Sequence, residues 1–167
     1  MKHLLYLMLL HLLLLSGCIN EEEPETISLQ PGDKCPTFSI VMNDGSIFSS
    51  PDLKGHKNMI VFFNTSCPDC RQELPVVQQV YDRIKVDDSD SKIICIARAE
   101  GQESIEQYWK ENGLTLPYSP QPDKEVYNLF ASSVIPRIYI LSEDLTITQC
   151  WDDNPMPSYT ILLDALR

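Results

Sequence analysis

Two cysteines three residues apart, Cys67-Pro68-Asp69-Cys70, stand where an apolar run gives way to a helical one. That junction constrains the fold more than any other feature of the chain. The run Met59-Ile60-Val61-Phe62-Phe63 has the composition of a strand buried on both faces. Beyond the cysteines, Leu74, Val77, Val80, Tyr81 and Ile84 recur on one helical face, which predicts a helix over 68–86. Pro75 falls inside it and is expected to kink it. A helix beginning there aims its unpaired N–H groups and positive dipole end at the first cysteine, and this favours a thiolate. Two thiols at this spacing can close a small disulfide ring. The combination reads as a thiol–disulfide redox site.

The rest of the chain supplies the elements around that junction. Residues 37–42 and 46–48 are predicted hairpin arms about the turn Asn43-Asp44-Gly45. Residues 57–64 and 92–98 read as the two central strands, with the 68–86 helix between them. A second helix is predicted over 104–112, stopped by Gly113, and a third over 123–131. Between these two, 118–122 reads as a Pro-rich loop. Strands over 133–141 and 145–151 form a second hairpin, and an amphipathic helix over 158–166 closes the chain. Trp109 and Tyr108 fall at core spacing. The sequence contains no internal repeat and no second domain.

The N-terminus sets the compartment. Met1-Lys2-His3 is a short basic head, and residues 4–15 are almost wholly apolar, a stretch with the flanks of a cleavable signal. Leu15-Ser16-Gly17-Cys18 resembles a bacterial lipoprotein box, which implies cleavage before Cys18 and lipidation of that residue. The organisation expected is therefore a signal peptide over 1–17, a lipidated cysteine with an acidic flexible tether over 18–30, and one domain over 31–167. The tether contains Glu21-Glu22-Glu23-Pro24-Glu25, too polar to pack. Acidic residues just after the lipid resemble a surface-export signal of Bacteroidetes lipoproteins. Ile19 is not the aspartate that resembles an inner-membrane retention signal. The location expected is the cell envelope, lipid-anchored, facing the periplasm or exposed on the outer-membrane surface. Without Lys2 the chain carries 24 acidic against 12 basic residues, a balance that argues against nucleic acid and against charge-driven adhesion to anionic lipid.

The other cysteines need separate accounts. Cys95 lies in an apolar run and reads as a small core hydrophobe. An oxidising compartment permits a Cys35–Cys150 bridge, and the sequence leaves that pairing open. A zinc site is disfavoured, because Cys67 and Cys70 have no second closely spaced pair and His56 is the sole histidine after the leader. Neither a metal nor another cofactor is expected.

A β-α-β half, a connecting helix, a β-hairpin and a final helix follow the thioredoxin order. With the Pro31–Phe38 opening, Cys67-x-x-Cys70, Glu73 and Val134-Ile135-Pro136, the chain resembles the TlpA/ResA group of membrane-tethered extracytoplasmic thiol–disulfide oxidoreductases. The resemblance implies an α/β, thioredoxin-like fold: a central mixed β-sheet flanked by helices, with an N-terminal β-hairpin extension. It also assigns roles. Cys67 resembles the exposed nucleophile and Cys70 the resolving thiol. Pro136 resembles the group's cis-proline, which lies against the cysteines and presents backbone to an extended substrate. Glu73 matches an acidic residue thought to move protons at the resolving thiol, although a helix's first turns favour a carboxylate in any case. The implied partners are protein disulfide or thiol clients, and a membrane thiol–disulfide protein that donates electrons.

Three departures stand out. Ser66 replaces the usual Trp before the first cysteine, leaving Cys67 more open. Arg137 follows the proline, either turning toward Cys67, where it would favour the thiolate, or pointing into solvent. Val61 stands where cytoplasmic thioredoxins carry a buried acid, which puts more weight on Glu73. Asp69, a carboxylate beside the nucleophile, favours the disulfide form and hence a reductase or isomerase over a disulfide donor. Two other readings are a non-catalytic surface lipoprotein using the fold as a binding module and a peroxiredoxin-like thiol peroxidase.

Overall fold

The computed structural model describes residues 27–167 apart from Asp88. The expected signal peptide, Cys18 and the tether through residue 26 lie outside the described residues. Strands β1 (Ser39–Val41) and β2 (Ile47–Ser49) form the hairpin, followed by a 3-10 turn over Ser50–Leu53. Gly45, at φ 84°, takes the left-handed turn position between them, and Asp44 Oδ1 accepts from Ser46 N at 2.9 Å. Then come β3 (Asn58–Phe63), α1 (Pro68–Val86), β4 (Ile93–Ala97), α2 (Gln102–Asn112) and β5 (Tyr118–Ser119). The chain ends with α3 (Glu125–Asn128), β6 (Arg137–Leu141), β7 (Ile147–Trp151) and α4 (Tyr159–Leu166).

Five strands make the central sheet in the order β5-β4-β3-β6-β7. β3 pairs in parallel with β4, and β4 with β5; the pairs β3–β6 and β6–β7 are antiparallel. Every residue of β3, β4 and β6 is buried, as expected for strands covered on both faces. Alternation along β3 divides the core. Met59, Val61 and Phe63 pack with Leu74, Val77 and Val80 of α1, Ile105 and Trp109 of α2, and Leu162 and Leu166 of α4. Ile60 and Phe62 point the other way, toward Phe38, Tyr127 and Phe130 under the hairpin. Two successive crossovers, β3 to β4 to β5, travel in one direction and carry α1 and α2 on one face. The return from β5 to β6 passes beneath the other face and carries α3 there.

Several boundaries differ from those the sequence predicts. β5 lies where a loop is expected; Pro117 and Pro120 flank only two strand residues, too few to show a period of two. β6 begins at Arg137 rather than 133, because the segment before it is a loop whose Ile135–Pro136 bond is cis and whose proline lacks a ladder donor. α3 occupies only Glu125–Asn128 of the expected 123–131. α1 runs through Pro75 without interruption, with that residue on its exposed side. Residues 27–30, placed in the tether by composition, pack on the domain instead. Leu29 N donates to Phe130 O at 2.8 Å and Ser132 N to Ile27 O at 2.9 Å. Leu29 also packs against the cluster under the hairpin, and Ser28 forms an antiparallel bridge with Ala131.

Candidate active site

β3 delivers the chain to the site through Asn64-Thr65-Ser66, and three groups hold that loop. Asn64 Oδ1 accepts from Ser66 N at 2.8 Å, an Asx turn. Glu100 Oε2 accepts from Thr65 N at 2.7 Å, its Oε1 accepts from the Thr65 hydroxyl, and Arg71 Nε donates to Thr65 O. The turn places Cys67 at the N-cap of α1 with an extended backbone, φ −79° and ψ 122°, and Pro68 in the first turn. Cys67 therefore sits at the positive end of a long helix, where negative charge on sulfur is favoured. Its Sγ, half-buried, lies 3.5 Å from Ile135 O, the carbonyl just before Pro136.

Cys70, one turn into α1, is fully buried at 0% exposure. Burial pushes its thiol far above the ordinary cysteine range; contact with Cys67 adds to that, and Asp69 contributes least. The two thiols lie close together and both are free in this structure. Glu73 follows on the same face of α1, 2% exposed, its Oε1 without any hydrogen-bond partner. Burial pushes this carboxyl up to about 7. Val61 is buried in the same core cluster as Cys70, so the sheet side of this thiol is apolar. Thus Cys67, Cys70, Glu73 and Pro136, the residues singled out in the sequence, converge on one end of the sheet.

The remaining candidates from the sequence fall elsewhere. Cys95 is completely buried in β4, and burial raises its thiol too, the inert core role expected. Cys35 and Cys150 are unbridged: Cys35 Sγ approaches Pro36 O at 3.5 Å, and Cys150 Sγ approaches Gln30 Oε1 at 3.9 Å. Burial pushes the Cys35 thiol to about 12. Trp109 is core, its Nε1 donating to Leu116 O at 2.9 Å. Arg137 corrects both expectations. It neither turns toward Cys67 nor points into solvent, because Ile138 takes the α1 face of β6 and alternation sends Arg137 to the other. Glu100 and Arg71, which clamp the loop before Cys67, have no signal in the sequence; only contacts across 35 and 6 residues reveal them.

A thioredoxin-type sheet with two adjacent thiols at a helix N-terminus and a cis-proline carbonyl against the outer one defines a thioredoxin-fold protein with a paired-cysteine site. The chain belongs to the AhpC/TSA family, whose pattern matches residues 31–150. The resemblance to ResA-type proteins also holds. Thiol-disulfide oxidoreductase ResA of Bacillus subtilis (strain 168) is 22% identical over 117 residues, 70% of this chain and 64% of that protein. The match thus spans slightly less than two thirds of that relative's length. Among solved structures, StoA from Bacillus subtilis superposes with a TM-score of 0.68 at 25% identity, covering 82% of this chain and 100% of that one. A thiol:disulfide interchange protein of the thioredoxin family from Chlorobium tepidum TLS gives 0.69 at 25% identity, covering 83% and 96%.

Proposed function

We propose that this chain is a membrane-anchored, extracytoplasmic thiol–disulfide oxidoreductase that reduces or isomerises protein disulfides through Cys67 and Cys70. The observation that carries the reading is the unequal pair: a half-exposed thiol at a helix N-terminus close to a fully buried one. The exposed sulfur is the one a protein disulfide can reach. In the first step the Cys67 thiolate attacks one client sulfur; a mixed disulfide forms and the other client sulfur leaves as a thiolate. Cys70 then loses its proton and attacks Cys67 Sγ. The Cys67–Cys70 disulfide forms, the second client thiolate departs, and two electrons have passed to the client.

Glu73 is the proton acceptor for Cys70 in this scheme. A carboxyl held near 7 is part ionised at neutral pH, and a buried unpaired oxygen has no competing partner. Pro136 keeps the loop carbonyls beside Cys67 free to meet an extended client backbone. Each turnover leaves the pair oxidised, so a membrane thiol–disulfide protein must return two electrons. The lipoprotein box at Cys18 and the acidic stretch after it support an envelope location.

The test is the reduction potential of the Cys67–Cys70 pair in a thiol redox buffer. A value near −270 mV, that of thioredoxin, supports an anchored reductase. A value near −120 mV makes the protein an oxidant and sinks the reductive direction. A pair that stays oxidised at every accessible potential leaves the fold a binding module.

A further inference from the structure

On the sheet face away from α1, a cleft of about 250 Å³ is lined by Ser28, Gln30, Arg137, Cys150, Trp151 and Asp152, with other residues of the loop after β7. Its floor holds a charge in an unusual state. Arg137 is 9% exposed, and its guanidinium makes two hydrogen bonds: Nε to Ser133 O at 3.4 Å and Nη1 to Ser28 Oγ at 3.2 Å. Both partners are neutral. Among the described residues the ion pairs involve Lys34, His56, Arg83 and Arg167, and no carboxylate lies within 4.0 Å of Arg137. A cation taken so far from water without a counter-charge is costly, and in a chain of net charge −11 carboxylates are not scarce. The chain keeps this site positive, with Arg137 in the lining of the cleft.

The cleft is also placed for a client. Arg137 pairs with Phe62 near the end of β3, and Trp151 pairs with Ile138, so the cleft opens at the end of the sheet that carries Cys67. Arg137 is two residues past Ile135, whose carbonyl touches Cys67 Sγ. The hydroxyl of Tyr127 ties the same loop to its core, bonded to Ser133 O and to Val134 O at 2.6 Å. Arg98 stacks on that ring at 4.7 Å, a second guanidinium without a carboxylate partner among the described residues.

We propose that this cleft is a carboxylate-binding subsite for the client, in which Arg137 anchors an Asp or Glu side chain a few residues from the reacting cysteine. The assignment rests on the oxidoreductase reading above. Asp152 on the rim narrows what is accepted, because it repels a carboxylate that is not seated on the guanidinium. The chain's overall negative charge repels acidic clients only weakly at physiological salt, where screening acts within about 8 Å. The local arginine therefore decides the preference.

The test uses the reduced full-length protein in detergent micelles and a set of peptides, each carrying one mixed disulfide with mercaptoethanol. Peptides of a pair differ only in Glu or Gln, placed at each position from two to five residues from the cysteine. At one or more positions the Glu peptide is expected to exchange about tenfold faster, the worth of one charge-assisted contact. Arg137→Gln brings that ratio to one, and Arg137→Lys restores part of it. A ratio below twofold at every position, or one unchanged in Arg137→Gln, overturns the proposal. Should that variant not fold, the wild-type ratio decides: it falls toward one as NaCl rises, and a salt-independent ratio overturns the assignment. Free glutamate slowing the Gln peptides as strongly as the Glu peptides assigns the cleft to a small free carboxylate and overturns the client assignment. Failure of every peptide to exchange refutes the oxidoreductase reading itself.

Discussion

Replacing Glu73 by glutamine isolates one buried titration and its consequence for stability. The carboxyl ionises at about 7 in the folded chain against an ordinary value of 4.5, with burial as the cause. The folded chain thus holds this proton more tightly than the unfolded chain does. The resulting stabilisation is fully present below about 4.5 and is lost as pH rises through about 7. Its size follows from the distance between those values, about 3 kcal/mol, and the 2% exposure leaves little solvent to screen it. Glu73→Gln is neutral throughout, so its own penalty, a buried amide of about 1–3 kcal/mol, does not change with pH. The measurement is urea unfolding by tryptophan fluorescence under a phosphine reductant at pH 4.5, 6, 7 and 8, on chains carrying Cys18→Ser. The stability difference between parent and variant should shift by about 3 kcal/mol in the variant's favour across that range. The ion-paired aspartates Asp87 and Asp144 are held low by their hydrogen-bonded cations and titrate below this window in both chains, so they cancel. Parallel curves within about 1 kcal/mol would refute the burial argument and with it the case for Glu73 as a proton acceptor near neutrality.

Two further outcomes follow from other parts of the chain. Gly113→Ala should destabilise the domain by about 1 kcal/mol and lower Tm by a few degrees; at φ 63° an added Cβ meets no atom within 4 Å, so the whole effect is backbone conformation. Cys18→Ser should move the protein from the membrane pellet to the soluble fraction of cells, and retention in the pellet would refute the lipid anchor.

The parts of this fold written in local pattern are legible in the sequence. The continuous apolar runs of β3 and β4, the helical spacing of α1 and Gly113 at the end of α2 are each carried by residues close together in the chain, so each has its own local signal. β5 is not legible, since two residues between prolines acquire strand character only by pairing with Cys95 and Ile96. The same holds at the site. Cys67 and Cys70 announce themselves by spacing, whereas Glu73 is singled out only through the family resemblance. Glu100 and Arg71, by contrast, enter only when the folded loop brings Thr65 against them. Arg137 escapes for a related reason: the face a residue occupies at a strand's first position depends on where the strand begins, and the loop before β6 is longer than the apolar pattern suggests.

The site's asymmetry bears on when the resolving thiol can react. Cys67 lies at the helix N-terminus, half in solvent, while Cys70 is sealed beneath it with its thiol pushed far above the ordinary range, chiefly by burial. A disulfide carries no charge, so burial does not penalise the oxidised pair as it penalises a Cys70 thiolate. An ordinary cysteine is already protonated at neutral pH, so raising the Cys70 thiol further leaves the balance between dithiol and disulfide almost unchanged there and instead makes the resolving thiolate scarce. Asp69, the least of the influences on Cys70, matters less to this than the thiol's burial in the apolar cluster with Val61, Leu74 and Val77. Glu73 completes the arrangement. In the scheme proposed above, the Cys70 proton goes to an acid whose own affinity is lower, so the transfer is uphill and the thiolate is short-lived. Such a thiolate is consumed only when an electrophilic sulfur is already adjacent, in the mixed disulfide on Cys67. In that scheme the burial of Cys70 holds the resolving thiol silent until a client is bound.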